Sequence, residues 1–199
     1  MLFQIVQIAY WLALSTWFGG VLFVAIAAPI IFRTVREHNP VLPSVLSVNL
    51  EGQHGTLLAG TIMGHVLARL AQVALVCAAV LLVALIIHPF VIDMTATNAT
   101  AAVLRSVLFL AAAGIVLYDW RVLWPRIWKH RQDYLDNADE PDVANPAKEQ
   151  FDRDHRRSQT MLQAVIFLLL GMILFSSSIT PAARTVTPAT GTNAARTLP

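Results

Sequence analysis

The chain has 199 residues, of which 56% are apolar and 13% are charged. Soluble proteins carry about 25% charged residues, so a chain with roughly half that fraction does not cover a water-facing surface in the usual way. The net charge of +2 comes without a basic face that interleaves aromatic residues, which argues against nucleic-acid binding. The single cysteine, Cys77, excludes a disulfide framework and a cysteine-based metal site.

The first apolar segment covers residues 2–32 and has no charged side chain before Arg33. At about 1.5 Å per residue it reaches roughly 45 Å, which exceeds the hydrocarbon thickness of about 30 Å. Pro29 lies near its far end and is expected to kink the helix or to help end it. We therefore predict one membrane-spanning helix, followed by a short loop from Arg33 to His54.

The second apolar segment covers residues 56–88 and carries a stripe of small residues. Thr56, Gly60, Gly64 and Ala68 recur every four residues, and Gly60 to Gly64 matches a GxxxG pattern. Small residues let helices approach closely in lipid, where the hydrophobic effect does not draw helices together. The stripe therefore predicts a helix contact.

Two further segments, residues 103–123 and 161–179, complete a set of four predicted spans. The Trp and Tyr residues beside basic residues at the end of the third segment are typical of a membrane–water interface. The acidic, proline-containing residues 132–150 predict a flexible cytoplasmic loop, and residues 180–199 predict a disordered tail. The predicted fold is all-α: a polytopic integral membrane protein with a four-transmembrane-helix bundle and a charged cytoplasmic loop.

Charge is concentrated between Asp119 and Thr160, which hold 17 of the 26 charged residues. The first and third connections carry ten Lys and Arg residues, whereas the second connection and the two termini carry three. Positive residues remain on the cytoplasmic side of a membrane. We therefore predict a multi-pass protein of the bacterial cytoplasmic membrane with both termini outside the cytoplasm.

Two sets of polar side chains are candidates for a functional face. His65, Arg69 and Gln72 follow at spacings of four and three, which places them on one side of a helix. A charge within a membrane is by default a hypothesis of function. The alternative is that Arg69 extends to the inner interface while His65 lies among the headgroups.

The second set is Phe151, His155 and Ser158, at positions i, i+4 and i+7 directly ahead of the fourth segment. The alternative interpretation is an interfacial helix whose neighbouring arginines meet anionic headgroups. No acid or glycine-rich oxyanion loop accompanies Ser158 and His155, so the pattern does not indicate a nucleophilic triad. We expect no catalytic residues and a non-enzymatic protein.

Metal binding would need several histidines to converge, and His54, His65 and His88 are the weak candidates. His54 and His65 are eleven residues apart and share a face of a continuous helix, whereas His88 lies at the other end of the segment. No HxH, HxxxH or Cys–His spacing occurs. We expect no cofactor, with copper or haem as the alternative.

The order of these motifs resembles the four-helix membrane family named domain of unknown function 4149, which includes transmembrane protein 205. The resemblance covers about residues 12–176. The residues that carry it are Trp17-Phe18-Gly19-Gly20, Ala28-Pro29-Ile30-Ile31-Phe32, Ala59-Gly60-Thr61-Ile62-Met63-Gly64, Arg69, Tyr118, Pro125, Arg131, Phe151, His155, Ser158 and Gly171. We expect the glycines of these motifs, Gly19, Gly20, Gly60, Gly64 and Gly171, at helix contacts.

The resemblance implies an integral membrane protein with no established enzymatic activity. It makes His65, Arg69 and the face formed by Phe151, His155 and Ser158 the candidate functional residues. We interpret the chain as a small-solute or metal-tolerance factor or an accessory subunit, whose partners are the lipid bilayer and a membrane protein or second copy. The alternative is a transporter or a copper- or haem-binding protein, because the chain is also distantly similar to the membrane domain of copper-resistance D-type proteins.

Overall fold

A computed structural model describes residues 2–42, 50, 52–91 and 99–176, and no strand occurs within these ranges. Four helical stretches are long and apolar enough to cross a membrane, which confirms the predicted all-α fold class. The elements are α1 (Leu2–Glu37), α2 (His54–Val91), α3 (Ala99–Tyr118), a π-helical turn (Asp119–Leu123), α4 (Trp124–Asp136) and α5 (Pro141–Ser176). The tail predicted at residues 180–199 lies outside the described part of the chain.

The core follows a repeat of alternating three and four residues along each helix. In α1 the fully buried side chains are Tyr10, Leu14, Trp17 and Val21. The same spacing recurs in α2 at Ala74, Cys77, Leu81 and Ala84, and in α5 at Val165, Leu169, Met172 and Ser176. Such a repeat keeps one narrow face of a long helix directed at its neighbours, as in left-handed bundles.

The third span does not end at residue 123, as predicted, but continues through the π-helical turn into α4 as one stretch, Ala99–Asp136. The Trp124 N–H bonds to the carbonyl of Asp119, five residues back. Pro125 follows at the start of α4 and has no N–H to donate. The widened turn ahead of the proline lets the helix pass it without a break. Pro29 likewise lies inside α1, which continues to Glu37.

The structure corrects the prediction of a flexible acidic loop at residues 132–150. Helix α4 extends to Asp136 and α5 begins at Pro141, so only residues 137–140 lie outside helices in this stretch. Proline is favoured at the first helical position, and Asp142 in the first turn complements the helix dipole. Ala144 and Ala147 are buried. The prolines and acids that suggested a loop therefore start a helix.

The bundle has two chemically different ends. The terminal end contains the start of α1 and the end of α5, which are joined by a hydrogen bond between Tyr10 and Ser176. The charged end contains the end of α1, the start of α2, the π-helical turn, α4 and the start of α5. Helix α1 packs mainly on α2, and α3 and α4 pack on α5.

At the charged end, Arg131 attaches α4 to α2. Its Nη2 donates to the Leu57 carbonyl at 3.1 Å and to Thr61 Oγ1 at 2.7 Å. The Arg131 guanidinium also lies over the Trp128 ring, 5.2 Å from the centroid. This one side chain therefore joins the second and third spans through residues that are 74 positions apart in sequence.

The five glycines predicted at helix contacts divide into two groups. A Cβ added at Gly64 would lie 3.0 Å from Trp128, one at Gly20 2.8 Å from Leu70, and one at Gly171 3.1 Å from Leu108. These three positions therefore make close contacts. A Cβ at Gly19 or Gly60 would meet no atom of the described residues within 4 Å, so neither glycine is needed for packing in the part of the chain that the structure describes.

The two ends of the GxxxG pattern provide a matched stability test. We expect Gly64→Leu to lower the free energy of unfolding by about 1–3 kcal/mol, because the new side chain overlaps the Trp128 indole. Gly60→Leu enters open space and should be close to neutral. Thermal unfolding of both variants in detergent measures the difference, and equal melting temperatures would contradict the contact with Trp128.

Candidate functional site

A cluster of buried polar side chains lies at the terminal end, where four helices meet. We call it the terminal cluster: Tyr10, His88, Arg105 and Ser176. Their exposed fractions are 0%, 2%, 4% and 2%. The Ser176 hydroxyl donates to the Met172 carbonyl at 2.6 Å, so its oxygen accepts the second bond, 2.6 Å long, from the Tyr10 hydroxyl. This chain of hydrogen bonds links α1 to α5 inside the bundle.

Arg105 and His88 pack around the Tyr10 ring. The Arg105 guanidinium carbon lies 5.6 Å from the ring centroid, within the range of a cation–π contact. The His88 and Tyr10 centroids are 5.4 Å apart, with the rings tilted by 49°. Tyr10 therefore contacts every other member of the cluster.

Several polar atoms in and near the cluster have no hydrogen-bond partner among the described residues. They include Arg105 Nε and both ring nitrogens of His88. On the α1 helix, Trp17 Nε1 and Gln7 Oε1 are also buried and unpaired. Buried polar groups in folded proteins are nearly always hydrogen-bonded, so a group of such exceptions is a reason to expect a ligand or bound water.

A second polar site lies at the charged end, where the π-helical turn meets α5. Ser158 lies close to the Asp119 carboxyl. One oxygen of that carboxyl, Oδ1, is buried and has no partner in the described ranges. Wide turns of this kind are frequent at functional sites, because they redirect one side chain of a regular helix.

The remaining members of the predicted α5 face, Phe151 and His155, contact each other. Phe151 and His155 stack with ring centroids 5.5 Å apart and planes 9° apart. Gln159 Nε2 donates to His155 Nε2 at 3.2 Å, so that nitrogen accepts. Arg157 lies 5.8 Å from the Tyr118 ring centroid. Ser158 thus lies near Asp119, whereas Phe151 and His155 stack on each other.

The third polar feature is a cleft of about 550 Å³ between α4 and α5, which we call the charged cleft. His130 and Asp154 form its inner wall, with Nε2 and Oδ2 3.8 Å apart and side chains 19% and 17% exposed. The lining residues are Arg126, Lys129, His130, Pro146, Glu149, Gln150, Arg153 and Asp154. The cleft therefore combines cations and carboxylates in one cavity.

The predicted face of α2 points away from the bundle. His65, Arg69 and Gln72 are all exposed. Arg69 Nη1 donates to Gln72 Oε1 at 3.0 Å, so the arginine bonds to a residue one turn towards the terminal end. These three residues do not join Phe151, His155 and Ser158, which lie on α5.

The three histidines proposed as weak metal ligands do not converge within the chain. His54 begins α2, and its Nδ1 accepts the Leu42 N–H at 3.0 Å. His88 lies 34 positions further along the same helix, about 51 Å away at the rise of an α-helix. The described residues contain no group of three His, Cys, Asp or Glu side chains that could hold a metal ion.

Sequence reasoning missed three of the four members of the terminal cluster. Tyr10, Arg105 and Ser176 lie in different apolar segments, and their spacing within each segment carries no motif. The signal in the sequence was Arg105, the one charged residue between positions 103 and 118 of the third apolar segment. A charge at such a position indicates a buried polar partner, although the sequence does not say which one.

The family described as Domain of unknown function (DUF4149) matches residues 12–134. The match begins after Tyr10 and ends within α4, so it includes His88, Arg105, Asp119 and Arg131. No curated protein and no solved structure matches the chain.

The Tyr10–Ser176 bond gives a second stability test. We expect Tyr10→Phe to lower the free energy of unfolding by about 0.5–1.5 kcal/mol, because it removes the donor to Ser176 inside the bundle. Tyr134→Phe is the matched control, since it removes a hydroxyl that donates to Gln53 at 3.0 Å at the charged end. Melting temperatures in detergent compare the two, and a larger loss for Tyr134→Phe would contradict the role of the buried bond.

Proposed function

Since the chain belongs to the family of unknown function DUF4149, we propose that it is a non-enzymatic integral membrane protein that binds a small anion in the terminal cluster. The observation that carries this proposal is a guanidinium that is 4% exposed and contacts an aromatic ring rather than a described carboxylate. A buried charge is costly unless it is paired and hydrogen-bonded. A small anionic solute would supply both.

The charge distribution at the terminal end supports an anion from outside the chain. All ten described Asp and Glu residues lie at the end of α1 or from Asp119 onwards. In the sequence, Asp93 is the one acid between Glu51 and Asp119, and it lies outside the described residues. Arg105 therefore has few carboxylates of its own chain within reach.

The chemistry of the unpaired atoms supports the same class of ligand. Arg105 Nε and Trp17 Nε1 are donors only, and a neutral His88 ring offers one further donor. Gln7 Oε1 is an acceptor, so donors outnumber acceptors among these unpaired atoms, and buried donors favour a chloride ion or a small carboxylate over a cation. The Tyr10 hydroxyl donates its proton to Ser176 and is not free to donate to a ligand. Tyr10 therefore positions the cluster, and Arg105 supplies the positive charge for the anion.

The proposal includes an orientation with both termini outside the cytoplasm. Ten Lys and Arg residues of the first and third connections then lie inside, against three at the terminal end and in the tail. The terminal cluster would face the outer side of the membrane. A solute would then reach Arg105 from outside the cell.

Chloride binding by the purified protein tests the function. We expect wild-type protein in neutral detergent micelles to broaden the chloride NMR line, and formate to reverse the broadening by competition. Arg105→Gln should lower chloride affinity by at least about ten-fold, because a hydrogen bond to a charged group contributes about 1.5–3 kcal/mol. Arg105→Lys retains the charge and should retain part of the affinity.

Arg33→Gln is the matched control, since it removes an exposed cation at the charged end. Equal line broadening in wild type and Arg105→Gln, both with intact thermal transitions, would contradict the proposal. The variant Asp93→Asn tests whether the anion that pairs with Arg105 is a bound solute or the carboxylate of Asp93. Chloride binding that occurs only in Asp93→Asn would mean that Arg105 is neutralised by its own chain.

Reporter fusions test the orientation. A reporter fused after Pro199 should be active only outside the cytoplasm, and one inserted between Asn137 and Ala138 should be active only inside, because these positions lie at opposite ends of α5. The two fusions control for each other. A cytoplasmic signal from the fusion after Pro199 would reverse the assignment.

A further inference from the structure

The charged cleft has walls formed by one face of each of two helices. Arg126, Lys129 and His130 follow at spacings of three and one on α4, and Glu149, Arg153 and Asp154 follow at four and one on α5. Helices α4 and α5 are joined by the short turn 137–140, so the two faces oppose each other. The volume of about 550 Å³ is in the range of small-ligand sites.

Most charged side chains of this cleft form no ion pair with another described residue. Asp154 contacts His130, but none of the three cations, Arg126, Lys129 and Arg153, forms an ion pair with another described residue. Glu149 is likewise outside any ion pair in the described ranges, although Arg153 lies one turn away on the same helix. Three cations and one carboxylate therefore remain for a ligand that carries both signs.

The cleft lies at the same level along α4 as the tryptophans of the charged end, but on the side of the helix that faces α5, whereas Trp128 faces α2. Trp124 is two residues before Arg126, and the Trp124 and Trp128 rings contact each other with centroids 5.8 Å apart. Trp120, one turn earlier, is 37% exposed. Tryptophans beside basic residues lie at the level of lipid headgroups. The level of the cleft along α4 therefore corresponds to the depth of the headgroups.

We propose that the charged cleft binds a phosphate ester that carries an ammonium group, supplied as the phosphoethanolamine headgroup of a membrane lipid. Arg126, Lys129 and Arg153 bind the phosphate through charge-assisted hydrogen bonds. Glu149 binds the ammonium group. A phosphoglycerol headgroup offers no cation to Glu149 and is therefore bound less well. This site is separate from the terminal cluster and does not depend on anion binding at Arg105.

Lipid retention tests the cleft. Full-length protein is extracted from nanodiscs of equal phosphatidylethanolamine and phosphatidylglycerol, and the retained lipids are counted by native mass spectrometry. Wild type should retain phosphatidylethanolamine in excess. Arg153→Gln should lower retention of both lipids by about five-fold, the effect of one basic residue at a membrane surface. Glu149→Gln should abolish the preference while retention of phosphatidylglycerol stays unchanged.

Arg33→Gln and Glu37→Gln are the matched controls, because they change the same charges in an exposed pair on α1. Equal retention of the two lipids by wild type, or the same loss in cleft and control variants, would overturn the proposal. Competition by soluble phosphoethanolamine distinguishes a lipid headgroup from a free phosphate ester as the ligand of the cleft. Its displacement of the lipid at comparable concentration would support the headgroup chemistry and overturn the lipid as the ligand.

Discussion

Hydrocarbon offers no hydrogen-bond partner, so a polar side chain inside the bundle must find one in the protein. The bond from Tyr10 to Ser176 meets this requirement at the terminal end and joins the first span to the last. It also fixes the Tyr10 ring on which Arg105 and His88 pack. The polar contacts that order this end of the bundle therefore depend on a single aromatic side chain of α1.

The charged end meets the same requirement differently. There the polar groups lie close to water, and long side chains join helices across the surface, as Arg131 does from α4 to α2. The Trp128 ring packs against Gly64, which lets α4 approach α2 closely enough for that bond. Small residues and a long cation thus act together, whereas the terminal end relies on buried hydroxyls and rings.

The four spans could be predicted from the sequence because their signal is local. Length and apolar composition indicate a spanning helix without any knowledge of its neighbours. The third span was predicted to end at residue 123, and the π-helical turn that carries the helix past Pro125 leaves no pattern in the residues. The acidic stretch was taken for a loop because proline and aspartate favour both loops and helix starts.

The candidate site was less predictable, because its members come together only in three dimensions. His88 was named for its chemistry, yet no pattern in the sequence places it against the Tyr10 ring. The spacing of Phe151, His155 and Ser158 correctly indicated one helix, but it did not place Ser158 near Asp119, which begins the π-helical turn of another span. The glycines show the same limit: Gly60 and Gly64 share a motif, and only Gly64 meets another helix.

The positions of Arg105 and Asp119 separate the two ends chemically. They are 14 residues apart on one continuous span, which corresponds to about 21 Å along the axis. At that distance a buried cation and a buried acid do not neutralise each other, so each requires its own partner. Ser158 lies close to Asp119, yet Asp119 Oδ1 has no partner among the described residues, and for Arg105 these residues supply only an aromatic ring. Both ends therefore leave a buried polar group to be satisfied, and the anion proposed for the terminal end would satisfy Arg105 without any change in the helices.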